Sequence, residues 1–94
     1  MATFIMLSTL TDEGAKTIKS KPERIKAVDQ ELAEMGVRVV NQWATLGPYD
    51  FVNVVEAADV QTVIRVAAHL VARGTIRITT LPAIPVDEFI AGLK

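Results

Sequence analysis

The chain has 94 residues, 50% of them apolar, no cysteine, and 22% charged residues that nearly cancel to a net charge of −1. That length fits one domain over residues 1–94, whose folding would bury roughly 64% of the unfolded surface and leave ~5,300 Å² exposed. The composition excludes a disulfide framework, a thiolate nucleophile and a Cys-ligated zinc, and the charge balance speaks against nucleic acid or an anionic membrane as partner.

Along the chain, Phe4-Ile5-Met6-Leu7 is an apolar run that predicts a strand buried on both faces. The segment Met1–Ser8 has no basic n-region, and its apolar run is too short for a secretory leader. No stretch approaches the ~18 apolar residues of a membrane span, so a cytoplasmic protein is expected. Thr11-Asp12-Glu13 supplies a capping hydroxyl and first-turn acids for a short helix over Asp12–Lys19, with Gly14 as a weak point inside it. Ser20-Lys21-Pro22-Glu23 fits a capping box, with Ser20 as N-cap and Glu23 three residues on. Ile25, Val28, Leu32 and Met35 follow on one helical face, and Gly36 ends that helix.

Two apolar runs, Val37–Thr45 and Phe51–Glu56, flank Leu46-Gly47-Pro48-Tyr49-Asp50. A glycine free to take positive φ beside a proline that presets φ predicts an antiparallel hairpin. Asp59 then caps a second long helix with Val60, Val63, Ile64, Ala67, Leu70 and Val71 directed at the core, and Gly74 closes it. Thr75–Leu81 alternates and is β-branched, as a strand requires. Pro82 and Pro85 break the chain before a short C-terminal helix near Val86–Gly92.

The order is the βαββαβ pattern of an α+β, ferredoxin-like fold: a four-stranded antiparallel sheet with two long helices on one face and a short C-terminal helix. It puts the first and third strands at the centre, in agreement with their apolar runs. Arg38, Asn41, Gln42, Arg77 and Thr79 fall on the edge strands. Two helices cover one sheet face, while alternation sends apolar side chains to both. The second face is therefore expected to be covered by the C-terminal segment, a ligand or, preferred here, a second copy of the chain.

The segment Thr45–Asp59 resembles the signature of the GYD domain family, whose glycine, tyrosine and aspartate correspond to Gly47, Tyr49 and Asp50. Met1–Ile5 with Leu10–Gly14, Pro22-Glu23-Arg24 and Arg77–Leu81 are similar to other parts of that family, so the resemblance spans nearly the whole chain. It implies a ferredoxin-like subunit of the dimeric α/β-barrel kind with no established catalytic activity. Two family aromatics are missing: one in the opening element, where Ser8-Thr9-Leu10 stands, and one beside Trp43, where Gln42 stands.

The candidate ligand pocket comprises Gln42, Trp43, Tyr49, Asp50 and Asn53. In it Asp50 would act as base or acceptor, Tyr49 as donor and Trp43 as a wall. The competing, preferred reading gives Asp50 to turn amides and packs Tyr49 across the hairpin, because the Gly-Pro turn accounts for both. Asn53 and Gln42 are polar residues within strands and need partners if buried, in a pocket or at a dimer interface. Arg38 and Glu56 are placed to pair across the open end of the hairpin. Ser20 and Arg24 mark a candidate anion site at a helix start, against a solvated charged surface as the alternative. His69, the lone histidine, lacks the neighbours of a metal site and reads as a solvated helix-face residue, with haem ligation the remote alternative. No metal and no cofactor are expected.

Function is thereby narrowed to an oligomeric small-molecule-binding or regulatory, stress-related module, partnered by itself and a small molecule. A cofactor-independent monooxygenase or isomerase acting on a small hydrophobic substrate is the alternative, and a purely structural assembly subunit a third.

Overall fold

A computed structural model describes all of residues 1–94. The elements are β1 (Ala2–Leu10), α1 (Asp12–Ser20), α2 (Arg24–Glu34), β2 (Arg38–Ala44), β3 (Phe51–Ala57), α3 (Val60–Val71), β4 (Ile76–Ala83) and α4 (Val86–Gly92). One four-stranded sheet runs in the order β2-β3-β1-β4, with every neighbouring pair antiparallel. This is the ferredoxin-like α+β arrangement, with the first and third strands central.

Residues paired in register share a face of the sheet. Phe4 lies opposite Val55, Met6 opposite Asn53 and Ser8 opposite Phe51. This inner face meets the helices, and Phe4, Met6, Val55, Val63, Val66 and Leu70 are buried in the single core. Ile5 lies opposite Val54 and Leu81, and Leu7 opposite Val52, which in turn faces Trp43. These make the outer face.

The helix caps follow local chemistry. Thr11 Oγ1 accepts from Gly14 N–H at 3.2 Å and opens α1; Asp59 Oδ1 accepts from Thr62 N–H at 2.8 Å and opens α3. The capping box at Ser20 does not form. Ser20 is the last residue of α1, its hydroxyl donating back to the carbonyls of Lys16 and Thr17. Helix α2 starts after Pro22 with Glu23 at its N-cap and no side-chain cap. Continuing α1 by one residue, to Ser20, turns that hydroxyl back along α1 and away from the next helix.

Helix α3 is rotated from the expected orientation. Val66, fully buried at 0% exposure, joins Val63 and Leu70 in the core, while Ile64 is 62% exposed and Val60 and Val71 also face outward. An apolar stripe wider than the contact leaves one flank uncovered.

Gly14 lets α1 pack closely against the residue that precedes β4: a Cβ there would lie 1.9 Å from the Thr75 carbonyl oxygen. Two hydrogen bonds fix this junction, Thr11 N–H to Thr75 O at 3.0 Å and Thr11 Oγ1 to Gly74 O at 2.8 Å. Strand β2 carries a bulge between Val39 and Asn41, and β4 contains Pro82 opposite Phe4.

Candidate functional site

Two features are left once the core is accounted for: a cavity on the inner face and an uncovered apolar surface on the outer one. The cavity, about 150 Å³, lies between the sheet and helices α1 and α2, with the end of α3 beside it. Its apolar wall includes Met6, Leu10, Ile25, Phe51 and Ile78, and its polar side chains include Ser8, Asp29, Gln42 and Asn53, with Arg24 and Arg73 also lining it.

The polar groups divide into partnered and unpartnered. Gln42 Nε2 donates to Asp29 Oδ1 at 2.9 Å, linking β2 to α2. Glu31 accepts both guanidinium nitrogens of Arg73, Nη1 at 3.0 Å and Nη2 closer still, with Arg24 Nη2 at 3.6 Å. The Arg73 hydrogen bond holds the Glu31 carboxyl below its usual pKa, and its charge and that of Arg24 add to the effect against the opposing pull of desolvation. By contrast, Ser8 Oγ and Asn53 Oδ1 are buried with no hydrogen-bond partner. Ser8, only 3% exposed, was not among the sequence candidates. The signal that finds it is alternation, since Phe4, Met6 and Ser8 point the same way.

The five pocket candidates are not brought together. Gln42 and Asn53 line the cavity. Trp43 is on the outer face opposite Val52 and is 50% exposed. Asp50 belongs to backbone architecture: its carboxylate accepts from Leu10 N–H at 2.8 Å while its own N–H donates to Ser8 O at 2.8 Å. It thus clips the hairpin tip to β1, rather than serving the turn's own amides. Tyr49 contributes its carbonyl, which accepts from Thr45 Oγ1 at 2.6 Å, and Gly47 holds φ at +127°, a conformation that favours glycine.

Of the anion-site candidates, Arg24 lines the cavity and is engaged by Glu31, whereas Ser20 faces back into α1. Arg38 and Glu56 pair across the hairpin as expected. His69 is exposed, with Nε2 3.3 Å from the Arg73 guanidinium, and no three His, Asp or Glu side chains converge as metal ligands.

The outer face presents Ile5, Leu7, Val52 and Val54 at its centre, with Trp43 and Leu81 more exposed beside them. Helix α4 buries none of its residues, and Val86, Phe89, Ile90 and Leu93 recur on it at helical spacing. The molecule measures 50 × 29 × 19 Å. Its accessible surface is 6355 Å², about 1,000 Å² more than expected for a compact monomer of this mass. No helix is long and apolar enough to cross a membrane.

Comparison with known proteins gives a consistent picture. The family model for the GYD domain matches residues 4–93. A protein of Thermus thermophilus named "Glutamine synthetase and cystathionine beta-lyase binding protein" is 62% identical over 95 residues, covering 100% of both chains. The crystal structure of TTHA0845, also from Thermus thermophilus, superposes with a TM-score of 0.57 at 26% identity, over 90% of this chain and 95% of that one. The chain belongs to the GYD domain family.

Proposed function

We propose that this GYD domain protein is a regulatory binding module rather than an enzyme, acting as a homodimer that docks on glutamine synthetase and cystathionine β-lyase. The observation that carries this reading is the full-length likeness, at 62% identity, to a relative named for binding those two enzymes. The surface supports a module that works by contact. Its excess of about 1,000 Å² over a compact monomer is comparable to the ~800 Å² that each partner of a standard interface buries.

The dimer uses the outer sheet faces, where Ile5, Leu7, Val52 and Val54 are flanked by Trp43 and Leu81. Helix α4 then finds cover for Phe89 and Ile90 on the partner. Apolar side chains at a flat sheet centre, ringed by Arg38, Glu56 and Arg77, form the apolar-core, polar-rim pattern of an interface.

Light scattering on the purified protein tests self-association, and calorimetric titration into purified glutamine synthetase and cystathionine β-lyase tests docking. A dimer at micromolar concentration that becomes monomeric on Trp43→Glu, together with saturable heat for either enzyme, is expected. A monomer at all concentrations overturns the dimer. Absence of binding to both enzymes overturns the docking assignment.

A further inference from the structure

Independently of enzyme docking, we propose that the cavity between α1, α2 and the inner sheet face is a binding site for a small uncharged organic molecule with a ring-sized apolar body and one hydroxyl.

Size sets the first limit. The cavity volume of about 150 Å³ matches that of an apolar protein cavity known to hold benzene, so a body of about six to eight non-hydrogen atoms fits. The wall formed by Met6, Ile25, Phe51 and Ile78 is suited to such a body.

The polar groups set the second limit. Ser8 Oγ and Asn53 Oδ1 are both buried without partners. Native proteins rarely leave such atoms unmatched, and each costs stability until something bonds to it. Met6 pairs with Asn53 and Ser8 with Phe51, so Ser8 and Asn53 are diagonal neighbours on adjacent strands. Their Cβ atoms are then about 7 Å apart, within reach of one bridging group. Asn53 Oδ1 only accepts, whereas Ser8 Oγ donates and accepts. The bridging group must therefore donate to Asn53 and be able to accept from Ser8, which a hydroxyl does.

The charges set the third limit. Arg24 and Arg73 are both engaged by Glu31, and Asp29 is engaged by Gln42 and by Lys26 at 3.8 Å. Each charged side chain on the cavity wall thus has an oppositely charged group within 4 Å, with Glu31 shared between the two arginines, whereas the two unmatched buried atoms belong to neutral side chains, so the occupant that bridges them is taken to be uncharged.

The test is an amide NMR titration with phenol and with benzene, on the natural chain and on Asn53→Leu and Ser8→Ala. Phenol is expected to give saturable shifts at Ser8, Phe51, Asn53 and Ile78, and to bind about tenfold more tightly than benzene. Asn53→Leu is expected to erase that preference while benzene still binds, and a dispersed spectrum checks that the variant is folded. Ser8→Ala supplies the same comparison should Asn53→Leu fail to fold. Equal affinity for phenol and benzene overturns the hydroxyl requirement. Absence of saturable shifts with both probes, as expected if tightly held water satisfies Ser8 and Asn53, overturns the site.

Discussion

Replacing Gly14 by Ala gives the sharpest test of how α1 is held. On an isolated helix the change stabilises, by about 1 kcal/mol, because alanine loses less backbone freedom. Here the new Cβ would lie 1.9 Å from the Thr75 carbonyl oxygen and 2.9 Å from its carbon. Both are backbone atoms of the residue just before β4, with no flexible side chain to swing away, so α1 must retreat by more than 1 Å to restore ordinary contact. Retreat of α1 stretches the two hydrogen bonds from Thr11 to Thr75 O and Gly74 O. Overpacking costs about 1–3 kcal/mol and each lost hydrogen bond about 0.5–1.5 kcal/mol. Set against the helical gain, the net loss is roughly 1–5 kcal/mol, a sizeable part of the ~5–15 kcal/mol that a domain possesses. For a chain of this size Tm should fall by roughly 5–30 °C, read by thermal unfolding followed by circular dichroism at fixed protein concentration. Gly92→Ala is the control, since nothing lies within 4 Å of its Cβ; it should leave Tm unchanged or slightly raised. A Gly14→Ala protein as stable as its parent would refute the close approach of α1 to Thr75 and leave helix propensity as the governing effect.

Two further outcomes follow from the hydrogen-bond pattern. Asp50→Ala removes the acceptor of the Leu10 amide and should cost about 1.5–3 kcal/mol, whereas Tyr49→Phe should stay within about 0.5 kcal/mol, since the carbonyl and not the phenol accepts from Thr45. Urea midpoints of the two variants, compared at constant m-value, separate them, and similar losses for both would refute the clip. The Glu31 carboxyl has a pKa lowered from 4.5 in the folded chain, first by its hydrogen bond to Arg73. Its contribution is therefore fully present above the unfolded value and disappears as pH falls through the lowered folded value. Stability measured from pH 6 down to 2 should decline through that window, and Arg73→Met should flatten the decline; an identical slope in the variant would show that other carboxylates dominate.

What sequence could and could not reveal divides along a physical line. The hairpin, the Thr11 and Asp59 caps and the strand order rest on neighbours within a few residues or on the alternation of apolar side chains, and these were legible. The rotation of α3 was not: Val60, Ile64 and Val71 fit the apolar stripe as well as Val63 does, and only packing against β3 and β4 selects Val66 in their place. The partner of Asp50 was hidden for a different reason. Turn chemistry foretells that its carboxylate takes backbone amides, but Leu10 is 40 positions away and becomes its donor only when β1 lies beside β3. Ser20 shows local grammar overridden, because α1 runs one residue further than expected and takes Ser20 as its last residue. In the candidate site, Gln42 and Asn53 were identifiable as polar residues on strands, and their register in fact sets them opposite one another. Trp43 is one residue from Gln42 and so falls on the other face.

The bulge in β2 and the proline in β4 have a consequence for aggregation. These are the outermost strands of the sheet, and each would otherwise offer a straight row of free backbone groups to any passing chain. The irregular register between Val39 and Asn41 bends one row, and Pro82 deletes a donor from the other. Side-by-side growth into a continuous cross-β ribbon is therefore obstructed at both ends. The broad outer face of the sheet, rather than its two edges, is then the surface through which so apolar a chain can make contact.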